Sequence, residues 1–155
     1  MRAAVFSDTH GCTSLMLGAI RRSRPDIIIH LGDFVRDTAD IQREFPEIPL
    51  YSVCGNCDIA ALAPLSDTVP MGPVTAFICH GHEFNVNWSV NSLVYAAQEA
   101  GAKLALYGHT HQAACEEIGG VVTVNPGTAG RGRTLSWALI EVRDNGGIAV
   151  DIREL

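Results

Sequence analysis

The sequence predicts an α/β fold in which mixed β-sheets are covered by helices, and three observations predict it. Apolar, β-branched segments alternate with helical ones up to Cys54, which is the β-α-β-α-β order of a layered fold. After Thr68, short apolar segments are joined by turns rich in glycine and proline, which is typical of antiparallel hairpins. The chain has 155 residues, 47% of them apolar, which is enough for one domain over residues 1–155.

The first half of the chain contains three predicted strands and two predicted helices. The strands are Ala3–Ser7, Ile27–Leu31 and Leu50–Cys54, and the helices are Thr13–Arg22 and Thr38–Phe45. Ile27–Leu31 is a continuous apolar run, as in a parallel strand that is buried on both faces. Thr13 or Ser14 is expected to cap the first helix.

The second half is expected to contain short strands and one helix. The strands are Thr68–Val69, Val74–Cys79, Lys103–Tyr107, Ala113–Ile118, Val121–Val124, Leu135–Val142 and Ile148–Ile152, and the helix is Val90–Ala100. Turns rich in glycine join the first two strands and the last two strands, so that both pairs are expected to be hairpins. The strands from Ala113 onward are expected to be antiparallel, so the sheets of the protein are expected to be mixed.

The composition excludes several classes of protein. The net charge is −6, so general nucleic-acid binding is not expected. No apolar run approaches the ~20 residues of a membrane span, and the segment after Met1 lacks the apolar stretch of a signal peptide. The five cysteines are an odd number and are scattered, which favours a reducing compartment over a disulfide framework. We therefore expect a cytoplasmic protein that has neither a membrane nor a nucleic-acid partner.

Metal-competent side chains stand where five of the predicted strands end. These residues are Asp8, Asp33, Asn56, His80 and His109. In open α/β sheets, side chains that follow the carboxyl ends of strands converge on a ligand site. Aspartate and asparagine are also common turn residues, but histidine is not. The two histidines therefore favour a functional site over a set of ordinary turns.

Two of these positions begin pairs of candidate ligands. Asp8-Thr9-His10 and His109-Thr110-His111 are each expected to present two ligands on one side of an extended segment. With Asp33, Asn56 and His80 they give seven candidate ligands. Seven is too many for one four-coordinate ion, but it fits two ions that share a carboxylate. Two adjacent ions suit displacement at phosphorus, and mixed nitrogen and oxygen ligands suit manganese, iron, cobalt, nickel or zinc.

The same motifs, in this order, carry a resemblance to a known family. They are Asp8-x-His10, Gly32-Asp33, Gly55-Asn56, His80 and Gly108-His109-x-His111. The sequence resembles the calcineurin-like metallophosphoesterase superfamily. Its short length and its Gly55-Asn56-Cys57-Asp58 segment are similar to the small prokaryotic phosphodiesterase branch of that superfamily. The resemblance runs from Val5 to about Gly127.

The resemblance implies an architecture, an activity and a role for each motif residue. It implies a four-layer α/β/β/α sandwich of two mixed β-sheets flanked by helices. The implied ligands are Asp8, His10 and His111 for one ion, Asn56, His80 and His109 for a second, and Asp33 as the bridge. The implied cofactors are two divalent transition-metal ions, Mn²⁺ first, with Ni²⁺, Fe²⁺, Co²⁺ or Zn²⁺ as alternatives. The implied reaction is hydrolysis of a phosphodiester by a metal-bridging hydroxide, with Asp33, Asn56 and His109 as catalytic residues.

One departure from the family concerns the residue after Asn56. Many members have a histidine there, which is thought to assist the leaving group, whereas this sequence has Cys57. A thiol with a pKa of about 8.5 is a poor replacement for an imidazole. The protein is therefore expected either to prefer esters with good leaving groups or to use His82 as the catalytic acid. Support of a metal ligand is an equal alternative for His82.

Two other functions remain open. The first is a non-catalytic scaffold that resembles the small subunit of the retromer complex, although the ligand set is intact here. The second is a phosphomonoesterase, because the same two ions accommodate monoesters. The expected substrate is a small soluble phosphate ester rather than DNA, because the chain is short and acidic. The apolar segment Phe84–Tyr95 indicates a homo-oligomer as a further possibility.

Several residues near the motifs have open interpretations. His30 is expected to be a packed, hydrogen-bonded histidine or to support a ligand. Arg131 and Arg133 are expected to be solvated, with contact to a substrate phosphate as the alternative. Trp88 is expected to cover the pocket, to pack in the core or to contact another subunit. Cys54-Gly55-Asn56-Cys57 is formally a Cys-x-x-Cys motif, but no second cysteine pair supports a redox or zinc site, and Cys54 is expected to be buried.

Overall fold

Two five-stranded β-sheets form the framework of the protein, in a computed structural model that describes residues 1–59 and 62–155. In chain order the strands are β1 (Arg2–Phe6), β2 (Ile27–His30), β3 (Leu50–Ser52), β4 (Ser66–Met71), β5 (Val74–Cys79), β6 (Leu104–Leu106), β7 (Ala114–Ile118), β8 (Val121–Asn125), β9 (Ser136–Val142) and β10 (Ile148–Glu154). The helices are α1 (Thr13–Ser23), α2 (Thr38–Glu44) and α3 (Asn91–Glu99), with 3-10 turns at Val35–Asp37 and His82–Phe84. None of the helices in the described ranges has the length and apolarity to cross a membrane.

The first sheet is parallel on one side and antiparallel on the other. Its order is β10-β9-β1-β2-β3, with β1 parallel to β2 and β2 parallel to β3. Every residue of Ile27–His30 is buried, as predicted for a strand that is covered on both faces. Strands β9 and β10 form the predicted antiparallel hairpin, and β9 pairs with β1.

The second sheet is also mixed, and it differs from the prediction at two strands. Its order is β4-β5-β6-β8-β7. The predicted hairpin of β4 and β5 is present, but β4 begins at Ser66 rather than Thr68. The sequence predicts a purely antiparallel β8, whereas β8 pairs antiparallel with β7 and parallel with β6. Because β5 is also parallel to β6, the strands β5, β6 and β8 end at the same edge of the sheet.

The sheets and helices form four layers, and the burial of alternate residues shows how they pack. Val5 and Leu104 lie in an apolar cluster between the two sheets. Their neighbours Phe6 and Ala105 point the other way, as the strand period of two requires. Phe6 packs in the cluster that contains residues of α1 and α2, and Ala105 packs in the cluster that contains residues of α3. The predicted four-layer α/β/β/α sandwich is therefore confirmed.

The start of α1 differs from the expected cap. Its N-cap residue is Cys12, and no side chain of the described chain caps the helix. The Thr13 hydroxyl donates a hydrogen bond to Asp40 Oδ2 instead (2.8 Å). This bond connects α1 to α2. The Thr13 side chain, which the sequence predicted as a helix cap, therefore forms a tertiary contact instead.

Candidate metal centre

The loops that follow the strands of both sheets meet at one edge of the sandwich. The Asp8 backbone N–H donates to the Gly32 carbonyl oxygen (3.0 Å), which joins the loops after β1 and β2. The Gly108 N–H donates to the His80 carbonyl oxygen (2.9 Å), which joins the loops after β6 and β5. The His109 N–H donates to Asp8 Oδ2 (3.2 Å), across a sequence separation of 101 residues. The predicted strand ends of both sheets therefore converge.

Two glycines allow these loops to approach each other. A Cβ atom on Gly55 would lie 2.2 Å from Asp33 Oδ1 and 2.4 Å from the Asp33 nitrogen. A Cβ atom on Gly108 would lie 1.9 Å from Ser7 Oγ. Such distances are far inside van der Waals contact, so only glycine fits without a shift of the loops. The glycines of the Gly-Asn and Gly-His pairs therefore have a steric role beside the ligands.

Most of the candidate ligands have a left-handed backbone conformation. The φ angles are +55° at Asp8, +46° at His10, +55° at Asp33, +69° at His109 and +59° at His111. This conformation is uncommon for residues with a Cβ atom, although aspartate and histidine are enriched in it. The expectation that the two ligand pairs lie on extended segments is therefore wrong. Strained backbone of this kind concentrates at functional sites.

Asp8, His10 and His111 form the first group of candidate ligands. One ligand atom of each lies within 4.8 Å of the others. His111 Nε2 is 3.1 Å from Asp8 Oδ1, and the rings of His10 and His111 have centroids 5.5 Å apart. Asp8 Oδ1 and His10 Nε2 are nevertheless buried without a hydrogen-bond partner among the described residues. Because buried polar atoms are nearly always paired, these two atoms fit ligands of a cation.

Asn56, His80 and His109 form the second group. Asn56 Oδ1 is 3.1 Å from His80 Nε2 and 2.9 Å from His109 Nδ1. His80 Nδ1 lies 2.7 Å from the Leu31 carbonyl oxygen, which only accepts, so Nδ1 carries the proton of the neutral ring. His80 Nε2 therefore directs a lone pair toward an oxygen that is itself an acceptor. A cation between these atoms removes that conflict.

Asp33 lies between the two groups. Its Oδ2 is 3.9 Å from His10 Nε2, and its Oδ1 is 3.4 Å from His80 Nε2. Asp8, Asp33 and His80 also have one ligand atom each within 4.8 Å of one another, so the two groups are adjacent. Burial acts to raise the pKa of Asp33, but the hydrogen bond from the Cys57 N–H (2.9 Å) and the nearby His80 outweigh burial. The pKa of Asp33 therefore lies below its ordinary value.

The buried charge of the site fits a pair of divalent cations. Asp8 is fully buried and Asp33 is 3% exposed. Neither carboxylate forms an ion pair with a lysine or arginine of residues 1–59 and 62–155. Two buried carboxylates without a cation are costly. The set of two carboxylates, one amide oxygen and four imidazoles suits manganese, iron, cobalt, nickel or zinc.

The comparison with protein families supports the same interpretation over nearly the whole chain. The calcineurin-like phosphoesterase superfamily domain matches residues 1–145. The chain belongs to the calcineurin-like phosphoesterase superfamily. The resemblance that the motifs indicated is therefore confirmed.

Two curated relatives that match most of this chain are named as phosphoesterases. The chain is 27% identical over 151 residues to the probable metallophosphoesterase YsnB of Bacillus subtilis, with 94% of this chain and 86% of YsnB covered. It is 28% identical over 147 residues to the phosphodiesterase MJ0936 of Methanocaldococcus jannaschii, with 82% of this chain and 83% of MJ0936 covered. Both matches span most of each protein.

Two solved structures share the fold of this chain. One is a conserved uncharacterized protein of Streptococcus pneumoniae described as a predicted phosphoesterase, with a TM-score of 0.79, 25% identity, and 99% of this chain and 97% of that chain covered. Another is Vps29 of Entamoeba histolytica complexed with zinc, with a TM-score of 0.78, 20% identity, and 99% of each chain covered. At 20% identity, the second likeness concerns the fold alone.

His30 connects two ligand loops of this calcineurin-like phosphoesterase. The Gly32 N–H donates to His30 Nδ1 (3.2 Å), so Nε2 carries the proton and donates to Thr9 Oγ1 (3.1 Å). Thr9 stands between Asp8 and His10, and Gly32 precedes Asp33. The prediction of a buried, hydrogen-bonded histidine is confirmed, and its two bonds hold both loops in place.

Replacing His30 by glutamine is expected to flatten the dependence of stability on pH. Burial lowers the pKa of His30 from 6.5 to about 4, so the unfolded chain binds a proton in this interval and the folded protein does not. As the pH falls from about 7 to about 4, the free energy of unfolding of the parent protein should therefore decrease by about 2–3 kcal/mol because of His30. The His30→Gln variant should not show this decrease. Urea unfolding with EDTA present, repeated at several pH values, measures this difference. If the free energy of unfolding changed equally with pH in the two proteins, the prediction would be contradicted.

Asn87 is a contact residue that the sequence did not indicate. Its side-chain amide lies 2.9 Å from His109 Nε2, while His109 Nδ1 faces Asn56. When Nδ1 ligates, Nε2 carries the proton and donates to the oxygen of this amide, which requires the amide to be turned over. A hydrogen-bond partner on the second ring nitrogen fixes the orientation of a ligating histidine. Asn87 stands in the loop before α3, at no strand end and in no motif, so the sequence held no signal for this role.

The remaining sequence-based interpretations have mixed outcomes. Reduced hydration and the neighbouring Asp33 carboxylate raise the pKa of Cys57 to about 11, so the thiol is neutral at physiological pH. Cys54 is buried, as predicted, and its thiol donates to the Ala63 carbonyl oxygen (2.9 Å). Trp88 is 92% exposed, so the expectation that it packs in the core of this chain is wrong. Arg131 and Arg133 are exposed, in line with the expected solvated state.

Proposed function

We propose that the protein is a binuclear metal-dependent phosphodiesterase that hydrolyses a small soluble phosphate ester. One observation carries the proposal: two adjacent groups of candidate ligands share a buried aspartate, Asp33, and no lysine or arginine of the described chain neutralises it. An adjacent pair of divalent ions is a common solution for displacement at phosphorus. The expected cofactor is Mn²⁺, as the family resemblance implies, and Ni²⁺, Fe²⁺, Co²⁺ and Zn²⁺ are alternatives that also suit these nitrogen and oxygen ligands.

The proposed ligands divide into two sets with one shared member. The ligands are Asp8, His10 and His111 for one ion, Asn56, His80 and His109 for the other, and Asp33 for both. When bound, such ions lower the pKa of water to roughly 7 and offset the charge that develops on the phosphoryl oxygens. The ions therefore account for both the nucleophile and most of the charge stabilisation.

The residues of the chain hold the ligands in the required state. The Leu31 carbonyl oxygen keeps the proton of His80 on Nδ1, which leaves Nε2 free to ligate. The Cys57 N–H orients one oxygen of Asp33 toward the second group, while the other oxygen faces His10. No nucleophilic side chain is required, and the neutral Cys57 thiol is not suited to that role.

His82 is the residue that we propose as hydrogen-bond donor to the leaving-group oxygen. Its ring centroid lies 5.4 Å from that of His80 and 6.2 Å from that of His109, on the side of the second ligand group. Its Nδ1 is buried without a hydrogen-bond partner among the described residues. A donor at this position replaces the histidine that other family members have where Cys57 stands here.

The relatives favour an enzyme over a scaffold. YsnB, named a probable metallophosphoesterase, and MJ0936, named a phosphodiesterase, match 94% and 82% of this chain. The vacuolar protein sorting-associated protein 29 of Schizosaccharomyces pombe, at 34% identity, matches 52% of it. All seven expected ligands are present in this chain, and their candidate ligand atoms lie close together.

Hydrolysis of a chromogenic diester tests the proposal. Protein freed of metal with EDTA should show no turnover of bis(p-nitrophenyl) phosphate, and Mn²⁺ should restore turnover. Metal analysis of the purified protein should give close to two ions per chain. The scaffold predicts no metal-dependent rate, and a phosphomonoesterase predicts a higher kcat/KM for p-nitrophenyl phosphate than for the diester.

Replacing His82 by alanine is expected to slow the hydrolysis of esters with poor leaving groups more than that of esters with good ones. The kcat for methyl phenyl phosphate should fall about 100-fold. The kcat for bis(p-nitrophenyl) phosphate should fall less than about threefold, because p-nitrophenolate leaves without a hydrogen-bond donor. Steady-state kinetics with Mn²⁺ on both esters measures the difference. Unchanged turnover of methyl phenyl phosphate would remove His82 from the reaction.

A further inference from the structure

A cavity of about 580 Å³ opens directly beside the first ligand group. It lies between the segment that leads into β7, the loop before β9 and the end of β10, and His111 forms part of its wall. Ala113 and Ile152 contribute apolar surface to it, and Arg133 and Thr134 contribute polar groups. A cavity of this volume is in the range that holds a small organic ligand, about 300–1,000 Å³.

The loop before β9 is attached to the ligand segment, so the cavity has a fixed position relative to the metal centre. The Ala129 N–H donates to the Ser7 carbonyl oxygen (2.9 Å), and the Thr128 hydroxyl donates to the Asp8 carbonyl oxygen (3.0 Å). A Cβ atom on Gly130 would lie 1.7 Å from the Thr9 carbonyl oxygen. The loop residues that line the cavity therefore emerge next to the candidate ligands.

The charges at the cavity leave one cation available for a ligand. Arg153 is paired with Asp151 (2.6 Å), and its guanidinium lies 5.7 Å from the centre of the Trp137 ring. Arg133 forms no ion pair and no side-chain hydrogen bond with the part of the chain that the structure describes. Glu154 is the one carboxylate among the wall residues, so the cavity is not strongly cationic. A wall that combines the apolar side chains of Ala113 and Ile152 with polar side chains and one free guanidinium suits an organic group that carries hydrogen-bond acceptors.

We propose that this cavity binds the organic group that stays on phosphorus during hydrolysis, and that the substrate is a phosphodiester whose retained group is of nucleoside size. The inference rests on the proposed function. His82, the proposed donor to the leaving group, lies beside the second ligand group, whereas the cavity adjoins His111 of the first. In an in-line displacement the retained ester oxygen is one of the three equatorial oxygens, so a leaving group directed toward His82 leaves the side of His111 open to the retained group. A monoester has no group to fill this cavity.

Two substrates with the same leaving group test the proposal. Thymidine 5′-(p-nitrophenyl phosphate) and methyl p-nitrophenyl phosphate differ only in the retained group, so the ratio of their kcat/KM values reports binding of that group. We expect the parent protein to favour the thymidine ester. Ala113→Trp, which fills the cavity from an exposed position, should lower the ratio about tenfold. Arg133→Gln, on the exposed loop, should lower it about threefold to tenfold.

The cavity variants and a control variant together test whether the cavity binds the retained group. Ala100→Phe, at an exposed position after α3 and outside the cavity wall, serves as the control and should leave the ratio at the parent value. If both cavity variants keep the parent ratio while metal-dependent turnover is present, the cavity does not bind the retained group. This result does not contradict the proposed phosphodiesterase activity. An equal decrease for both substrates assigns the cavity to the leaving group and also overturns the proposal. If the parent protein shows no metal-dependent turnover, both the proposed function and the proposed binding of the retained group are wrong.

Discussion

Replacing Asp33 by asparagine is expected to lower metal-dependent diester hydrolysis by at least about a thousandfold. Asp33 has one oxygen 3.9 Å from His10 Nε2 and the other 3.4 Å from His80 Nε2, so its carboxylate faces both ligand groups. The amide keeps the volume but removes the negative charge and one of the two acceptor oxygens. The measurement is kcat/KM for bis(p-nitrophenyl) phosphate at saturating Mn²⁺, together with the number of bound ions per chain.

Asp144→Asn is the matched control for this variant. Asp144 is exposed in the turn between β9 and β10, and the same change of charge there should leave kcat/KM within about twofold of the parent value. A folded Asp33→Asn protein that binds two ions and hydrolyses the ester as well as the parent would contradict the assignment of the metal centre.

Replacing Gly55 by alanine is expected to weaken metal binding about 10–100-fold, although Gly55 is not a ligand. The added Cβ atom would meet Asp33 Oδ1 at 2.2 Å and the Asp33 nitrogen at 2.4 Å, so the carboxylate or its backbone has to move. Overpacking of this kind should also lower the free energy of unfolding by about 1–3 kcal/mol. Competition with a chelating dye measures the Mn²⁺ affinity, and urea unfolding with EDTA measures the stability.

Gly18→Ala distinguishes the steric effect from a general effect of glycine replacement. A Cβ atom on Gly18 would meet only the end of the Arg22 side chain, at 3.2 Å, and alanine favours the helix in which Gly18 stands. This variant should bind Mn²⁺ with the affinity of the parent protein. If Gly55→Ala also keeps the parent affinity, then the close approach of Gly55 does not position Asp33.

The interpretation of the sequence was most accurate where neighbours in the chain decide the structure. The run Ile27–Leu31 indicated a strand that is covered on both faces, because its apolar side chains are consecutive. The histidines at the ends of predicted strands indicated a site, because they are poor turn residues. Local pattern was less accurate for Thr13, whose hydroxyl bonds to Asp40 of another helix, and for β8, whose parallel partner β6 is not its neighbour in sequence.

The family resemblance implied the division of the candidate ligands between two groups, but the contacts that produce this division are contained in no local pattern. The sequence placed His109 and His111 on one side of an extended segment, whereas the left-handed backbone at both residues directs one ring to Asn56 and the other to Asp8. This backbone is held by bonds such as that between His109 N–H and Asp8 Oδ2, whose residues are 101 positions apart. The support of His109 by Asn87 likewise comes from a loop with no motif.

The sequence alone therefore determined the α/β class, most of the strands and the chemistry of the ligand set, because hydrophobic periodicity and residue type are properties of short segments. Only the tertiary structure decided which loop residue supports His109, which glycines allow the loops to meet and which cavity adjoins the centre. These features are distances between segments that are remote in the chain, and packing of the two sheets sets such distances.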